Sequence, residues 1–186
     1  MSKAVLISIR PEWVEKIANE WKTIEVRKTK PYLETPFKCY IYCTAGNLSY
    51  KVNGGMVCNV SGGKMVVGEF VCDKITWLTH IGFSGLPGIR LAAMKNGHTI
   101  DDSFDFSESC LTTPQIEKYL GGRDGYAWHI SKLEIYDAPK RLNDFKLWNR
   151  ECKYSDLGLA IPVCNTCRSC YVYRPPQSWC YVEELK

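Results

Sequence analysis

The sequence predicts an α+β fold: a small mixed β-barrel with a short helix after the first strand and further short helices at its ends. Three observations carry the prediction. The order of periodic segments is strand, helix, four or five strands, a small helix and more strands, with no alternating strand–helix rhythm, which argues against a doubly wound sheet. The apolar runs are short, Val66–Val67 and Phe70–Val71 being interrupted by Gly68 and Glu69, so no segment has the length of a membrane-spanning helix. The 186 residues, 45% hydrophobic and 24% charged, suit one globular domain over residues 1–186.

The elements follow in order. Val5 to Ile9 alternates and reads as an inner strand. Pro11 sits where a helix starts, because its missing N–H would be unpaired there anyway. Trp13, Val14, Ile17, Ala18 and Trp21 then recur at helical spacing, with Glu12, Glu15, Lys16, Asn19 and Glu20 on the other side. From Lys22 to Lys28 the period becomes two: Ile24 and Val26 share one face, Thr23, Glu25 and Arg27 the other. Phe37 to Cys43 is a third strand, and residues 45–63, rich in glycine, read as a loop or hairpin excursion. Lys64 to Trp77 reads as one long strand with Gly68 as a bulge or close-approach site. Residues 79–112 form an irregular insertion with one turn of helix near Ile89–Met94 and an acidic patch at Asp101, Asp102, Asp105 and Glu108. Thr112-Thr113-Pro114 starts a short helix through Tyr119 that Gly121–Gly122 ends. Gly125 to Tyr136 is another long strand, ended by Pro139, and residues 150–171 are a Cys-rich loop. Ser178 to Val182 is the last strand.

Composition narrows the function classes. The N-terminus alternates like a strand and lacks the apolar core of a signal peptide, so the expected compartment is the cytoplasm. There, ten cysteines are reduced thiols or metal ligands rather than a disulfide framework. The expected oligomeric state is a monomer. The net charge of +4 permits an anionic partner, and Arg27, Lys28 and Lys30 fall within four positions. No G-x-S-x-G, P-loop or H-E-x-x-H pattern is present.

Three constellations carry chemistry. Lys22, Thr23, Glu25 and Arg27 form the first: Arg27 can fork onto a phosphate or pair with Glu25, and a desolvated Lys22 can act as base or nucleophile. The competing reading is a cross-strand ion-pair ladder on a solvated face. The second is aromatic: Trp13, Tyr126, Trp128 and Trp179 either pack the core or stack a base, with Gln177 and Ser178 beside Trp179 to read a base edge. The third is Cys164-Asn-Thr-Cys167-Arg-Ser-Cys170 with Cys152 twelve residues earlier, four thiolates that could hold a structural zinc, with Cys180 a rival fourth ligand; the alternative is a thiol-rich loop without metal. Cys39, Cys43, Cys58, Cys72 and Cys110 read as small core or loop residues. His129 reads as a general base or as an ordinary strand histidine.

A first strand, Arg10-Pro11, a helix and then Lys22-Thr-Ile-Glu-Val-Arg-Lys28 resembles the opening of an ASCH domain, whose pattern there is glycine-x-lysine-x-x-x-x-arginine. Glu20 stands at the usual glycine position, with Lys22 and Arg27 in register. Lys64-Met-Val-Val-Gly-Glu-Phe70, Gly125-Tyr-Ala-Trp-His-Ile130 and Arg174-Pro-Pro-Gln-Ser-Trp179 continue the likeness along the chain and resemble the longer, phage- or prophage-associated subgroup. The resemblance implies a PUA-like barrel with a cleft beside the first helix, and a link to RNA or modified nucleosides. One branch of the family hydrolyses N4-acetylcytidine with a Lys–Thr–Glu set, and some members are ribonucleases. Lys22 matches that branch's lysine, Glu25 stands at its threonine with Thr23 nearby, and Glu69 and Glu108 are candidates for its glutamate. The expectation is therefore binding of RNA or a modified nucleoside through Arg10, Lys22, Glu25, Arg27, Lys28, Trp128, Gln177, Ser178 and Trp179. The alternative is a small hydrolase, an N4-acylcytidine amidohydrolase or ribonuclease, working through Lys22, Thr23 and Glu25.

Overall fold

The computed structural model describes residues 2–51, 57–60, 63–82, 89–95, 98–99, 105–150 and 168–185. In chain order its elements are β1 (Lys3–Ile9), α1 (Pro11–Ala18), β2 (Ile24–Arg27), β3 (Phe37–Cys43), β4 (Leu48–Lys51), β5 (Val57–Val60), β6 (Met65–Cys72), β7 (Ile75–Gly82), β8 (Ile89–Lys95), β9 (His98–Thr99), α2 (Thr113–Leu120), β10 (Gly125–His129), β11 (Ser131–Lys140) and β12 (Trp179–Glu183). Short 3₁₀ turns lie at Phe106–Ser109 and Leu142–Asp144. The architecture is mixed α+β. One five-stranded sheet runs β11-β6-β3-β1-β12, a second runs β2-β10-β7-β8-β9, and β4 and β5 form a separate hairpin.

β1 is an inner strand because both of its faces are apolar. Val5, Ile7 and Ile9 enter one core with Val14 and Ile17 of α1, Ile41, Phe70 and Trp128. Ala4 and Leu6 enter a second with Tyr40, Tyr42, Phe145 and Val182. β1 pairs parallel with β3, the arrangement that needs a long crossover, and α1 with β2 lies in that connection. A third core joins the second sheet to α2 through Ile24, Val26, Leu78, Ile116 and Leu120. α2 begins with Thr112 donating its N–H to Gln115 Oε1 at 2.8 Å and ends at Gly121, whose φ of +66° is the left-handed turn that glycine takes without strain.

Two long strand patterns each divide where the chain passes from one sheet to the other. Lys64 to Trp77 becomes β6 in the first sheet and β7 in the second, and Gly125 to Tyr136 becomes β10 in the second and β11 in the first. The two corners are tied together by the His129 N–H donating to Lys74 O at 3.0 Å. A barrel-like closure needs such corners, and period-two alternation runs through them without a mark. Pro139 does not end its strand: β11 is an edge strand, where the missing N–H faces no partner strand. The helical turn expected at Ile89–Met94 is instead β8, because the run Ile-Arg-Leu-Ala-Ala-Met fits either period and the free edge of β7 pairs with it from Ile89 to Met94. The excursion at 45–63 contains the β4–β5 hairpin. Gly68 is a close approach: a Cβ there would meet Glu134 O at 2.5 Å, beside a register shift between Ile41 and Tyr42 in the β3–β6 pairing.

Candidate functional site

The site begins at the end of α1. The helix closes with a Schellman motif: the Glu20 N–H donates to Ile17 O at 2.8 Å and the Trp21 N–H to Lys16 O at 2.9 Å. This requires a left-handed residue after the cap, and Glu20 holds φ +58°, the conformation glycine adopts most readily. The turn reverses the chain and delivers Lys22 to the floor of a cleft between α1, β2, α2 and the segment Pro175–Gln177.

Lys22, Glu25 and Arg27 meet there, and all are buried, at 2%, 7% and 7% exposure. Glu25 lies between the two cations, its Oε2 3.2 Å from Lys22 Nζ and its Oε1 3.0 Å from Arg27 Nη2. Lys22 Nζ also donates to Ile24 O and Ser109 O, each at 2.7 Å, so its three N–H bonds are all engaged. Arg27 Nη2 donates to Ser8 O at 2.6 Å. Arg27 Nη1 reaches Ser178 Oγ at 3.5 Å, the outer limit of a hydrogen bond, and Arg27 Nε has no partner among the described residues. The solvated ion-pair ladder is thus not what forms. β2 is buried on both faces, and its polar face becomes a buried network with two cations against one carboxylate.

The cleft above this network encloses about 650 Å³. Arg10 lies exposed at its mouth with Glu12 3.9 Å away. Trp13 lines one wall, with Lys22 Nζ 5.4 Å from its ring centre. Tyr119 of α2 lines another and is 40% exposed, with the Lys28 ammonium 5.1 Å from its ring centre at the rim. Gln115 and Gln177 also face the cleft. Ser8 ties the Pro175–Gln177 wall to β1: its hydroxyl donates to Pro176 O at 2.7 Å and its N–H to Ser178 O at 2.9 Å.

The structure brings Arg10, Lys22, Glu25, Arg27 and Gln177 together around this cleft, with Ser178 against Arg27 and Lys28 at the rim. It does not bring the two tryptophans. Trp128 is fully buried and packs edge-on against Phe37, with ring centroids 6.0 Å apart, so it offers no face to a ligand. Trp179 points to the other side of its strand, where it packs against Trp128 and Tyr181 and donates its indole N–H to Thr29 Oγ1 at 3.0 Å. Thr23 turns from the cleft and donates its hydroxyl to Glu108 Oε2 at 3.2 Å. Glu69 lies in the other sheet, 2.6 Å from Lys38 Nζ. His129 is half-buried with Nε2 3.4 Å from Thr76 Oγ1, and burial, helped by Lys74, pushes its pKa down.

Three of the four proposed zinc ligands, Cys152, Cys164 and Cys167, lie outside the described residues, as do Asp101 and Asp102 of the acidic patch. Cys170 is described and buried. Among the described residues no group of three or more His, Cys, Asp or Glu side chains is placed to hold a metal. Cys39, Cys43 and Cys72 are core thiols, and burial pushes Cys72 up to about 12 and Cys43 to about 11. Sequence reasoning missed Ser8 and Tyr119. A lone serine between Ile7 and Ile9 in an otherwise apolar inner strand was the available signal for the first; nothing local marked the second.

Among the described residues no helix is long and apolar enough to cross a membrane. No known family model and no curated protein matches the sequence. Solved structures do match the fold. The crystal structure of ASCH from Zymomonas mobilis superposes with a TM-score of 0.53 at 17% identity, over 97% of this chain and 88% of that one. Two mutant forms of the Zymomonas mobilis protein give TM-scores of 0.53 and 0.52 at 17% and 16% identity, over 98% and 97% of this chain and 92% and 89% of theirs. The chain therefore has the fold of these ASCH structures along nearly its whole length, as the four motifs anticipated.

Proposed function

We propose that the cleft beside α1 binds RNA or a modified nucleoside through a phosphate or another anionic group. One observation carries the reading: the cleft floor holds two buried cations against one carboxylate. An uncompensated buried charge costs several kcal/mol, about 3–5 when a pair is broken, and an anion entering from the open side would offset that cost. Lys22 contributes charge alone, since its donors are spent on Ile24, Ser109 and Glu25. Arg27, with Nη1 at the end of a 3.5 Å contact, keeps donor capacity for the ligand. Arg10 and Lys28 extend the positive field outward, and Tyr119 offers an exposed ring against which a base can stack.

The hydrolase alternative needs Lys22 as base or nucleophile, and the engaged Nζ gives that role no support. The same protein separates the two. Binding of a fluorescent oligoribonucleotide should weaken about tenfold in Arg27→Met and fall steeply between 50 and 200 mM salt. Affinity indifferent to salt and to Arg27 would sink the reading. Release of acetate from N4-acetylcytidine, abolished by Lys22→Met, would establish the hydrolase instead.

A further inference from the structure

A second cleft lies on the other side of the Pro175–Gln177 wall. It encloses about 550 Å³ and is lined by Leu147, Arg168, Tyr171, Tyr173, Arg174 and Cys180, among others. Pro176 lines both clefts and forms the ridge between them. The two share a composition. Each has one tyrosine ring that is well exposed, Tyr119 at 40% in the first and Tyr173 at 38% in the second. A cation rests near each ring: Lys28 Nζ 5.1 Å from Tyr119, and the Arg168 guanidinium 5.7 Å from Tyr173. Each also has an arginine at its edge, Arg10 in the first and Arg174 in the second. Among the described residues lining either cleft, Glu25 is the one acid, and Lys22 and Arg27 already hold it.

We infer that a single strand of nucleic acid crosses the Pro176 ridge with one base in each cleft, stacked on Tyr119 and Tyr173. The inference rests on the binding reading above and names its substrate as an oligonucleotide rather than a free nucleoside. A sequence-independent strand site combines cations that follow the phosphates with aromatic faces that take successive bases, and this pair of clefts repeats that combination on either side of one ridge. An acidic peptide would be drawn to the same charges but has no use for two exposed rings set beside cations.

The test compares uridine monophosphate with a uridylate octamer by fluorescence anisotropy competition, at one fixed salt concentration. The octamer should bind at least about tenfold more tightly, since each stacked base contributes about 1–3 kcal/mol. Tyr173→Ala and, separately, Arg174→Glu should each remove most of that advantage, with thermal melts confirming that both variants fold. Monophosphate binding without an octamer advantage, or an octamer advantage that survives both substitutions, overturns the two-cleft strand and leaves the single-cleft reading standing. Failure of both probes to bind overturns the two together. Equal competition by a polyglutamate peptide assigns the surface to an acidic protein partner and overturns the strand.

Discussion

Two of the charged clusters among the described residues are built on opposite plans. At the sheet face, Lys38 Nζ lies 2.6 Å from Glu69 and 3.4 Å from Glu184, while Tyr136 donates to Glu69 at 2.5 Å and the Lys140 ammonium rests 4.4 Å from the Tyr136 ring centre. There Lys38 pairs with both carboxylates and Lys140 acts on Glu69 through its charge alone, and the ion-paired side chains are partly open to water. In the cleft, Lys22 and Arg27 meet Glu25 alone, with side chains 2%, 9% and 10% exposed. A half-solvated cluster, screened by water, needs nothing more to be stable, and such groups contribute little individually. An unbalanced, buried one is costly to maintain unless something else uses it. That places function not at the larger, screened network but at the buried one with an excess cation.

Substituting the central carboxylate in each cluster tests the role of burial most directly. Glu25→Gln leaves Lys22 and Arg27 facing each other in a dry site and should cost about 3–5 kcal/mol in chemical denaturation. Glu69→Gln should cost about 1 kcal/mol, since it removes hydrogen bonds at a site water can reach. Equal losses would mean that burial does not distinguish the clusters. The backbone that delivers Lys22 sharpens the same contrast. Glu20→Gly places glycine at φ +58° and changes none of the three cleft charges. It should raise stability by about 0.5–1 kcal/mol, the relief of a left-handed residue less the entropy of the new glycine. A loss of stability would show that the Glu20 side chain does more than tolerate its turn.

The smallest effect is a dependence on pH. Burial works to raise the Glu69 pKa, but hydrogen bonds from Lys38 and Tyr136, with the charge of Lys38, outweigh it and hold the carboxyl below the usual 4.5. A carboxylate depressed in the folded state contributes stability that is present above its unfolded pKa and lost as pH falls through its folded value. The stability gap between wild type and Glu69→Gln should therefore narrow as pH is lowered from about 6 to about 3, by less than 1 kcal/mol after solvent screening. A gap that widens in acid would contradict the assignment.

Where one element packs against one neighbour, local pattern sufficed. The bounds of β3, the start of α1 at Pro11 and the close of α2 at Gly121 all follow from period, capping and glycine chemistry. The meeting of Glu25 and Arg27 on one face also followed from alternation along β2, whereas Lys22, of opposite parity, was joined to Arg27 by the resemblance alone. The two tryptophans did not, because an aromatic in a strand looks the same whether it faces a core or a cleft. Trp128 faces the core only because Phe37 and Trp179 arrive from other strands to cover it. Tyr119 enters the cleft because α2 packs Ile116 and Leu120 onto the second sheet and leaves its next face outward.

The α+β class, the order of most elements, the inner position of β1 and the cationic character of residues 22–28 are all legible along the chain. These depend on neighbours in the chain, whose spacing is set by covalent geometry. Packing between distant segments buries this polar strand face, turns the long strands at corners between sheets, and sets Ser8 and the Pro175–Gln177 segment as walls of the cleft. Burial and charge balance belong to groups far apart in the chain: Lys22 is desolvated by Ser109, and Arg27 is held by Ser8 and Ser178. No local period records such a meeting, and the uncompensated charge that marks the site exists only after it has occurred.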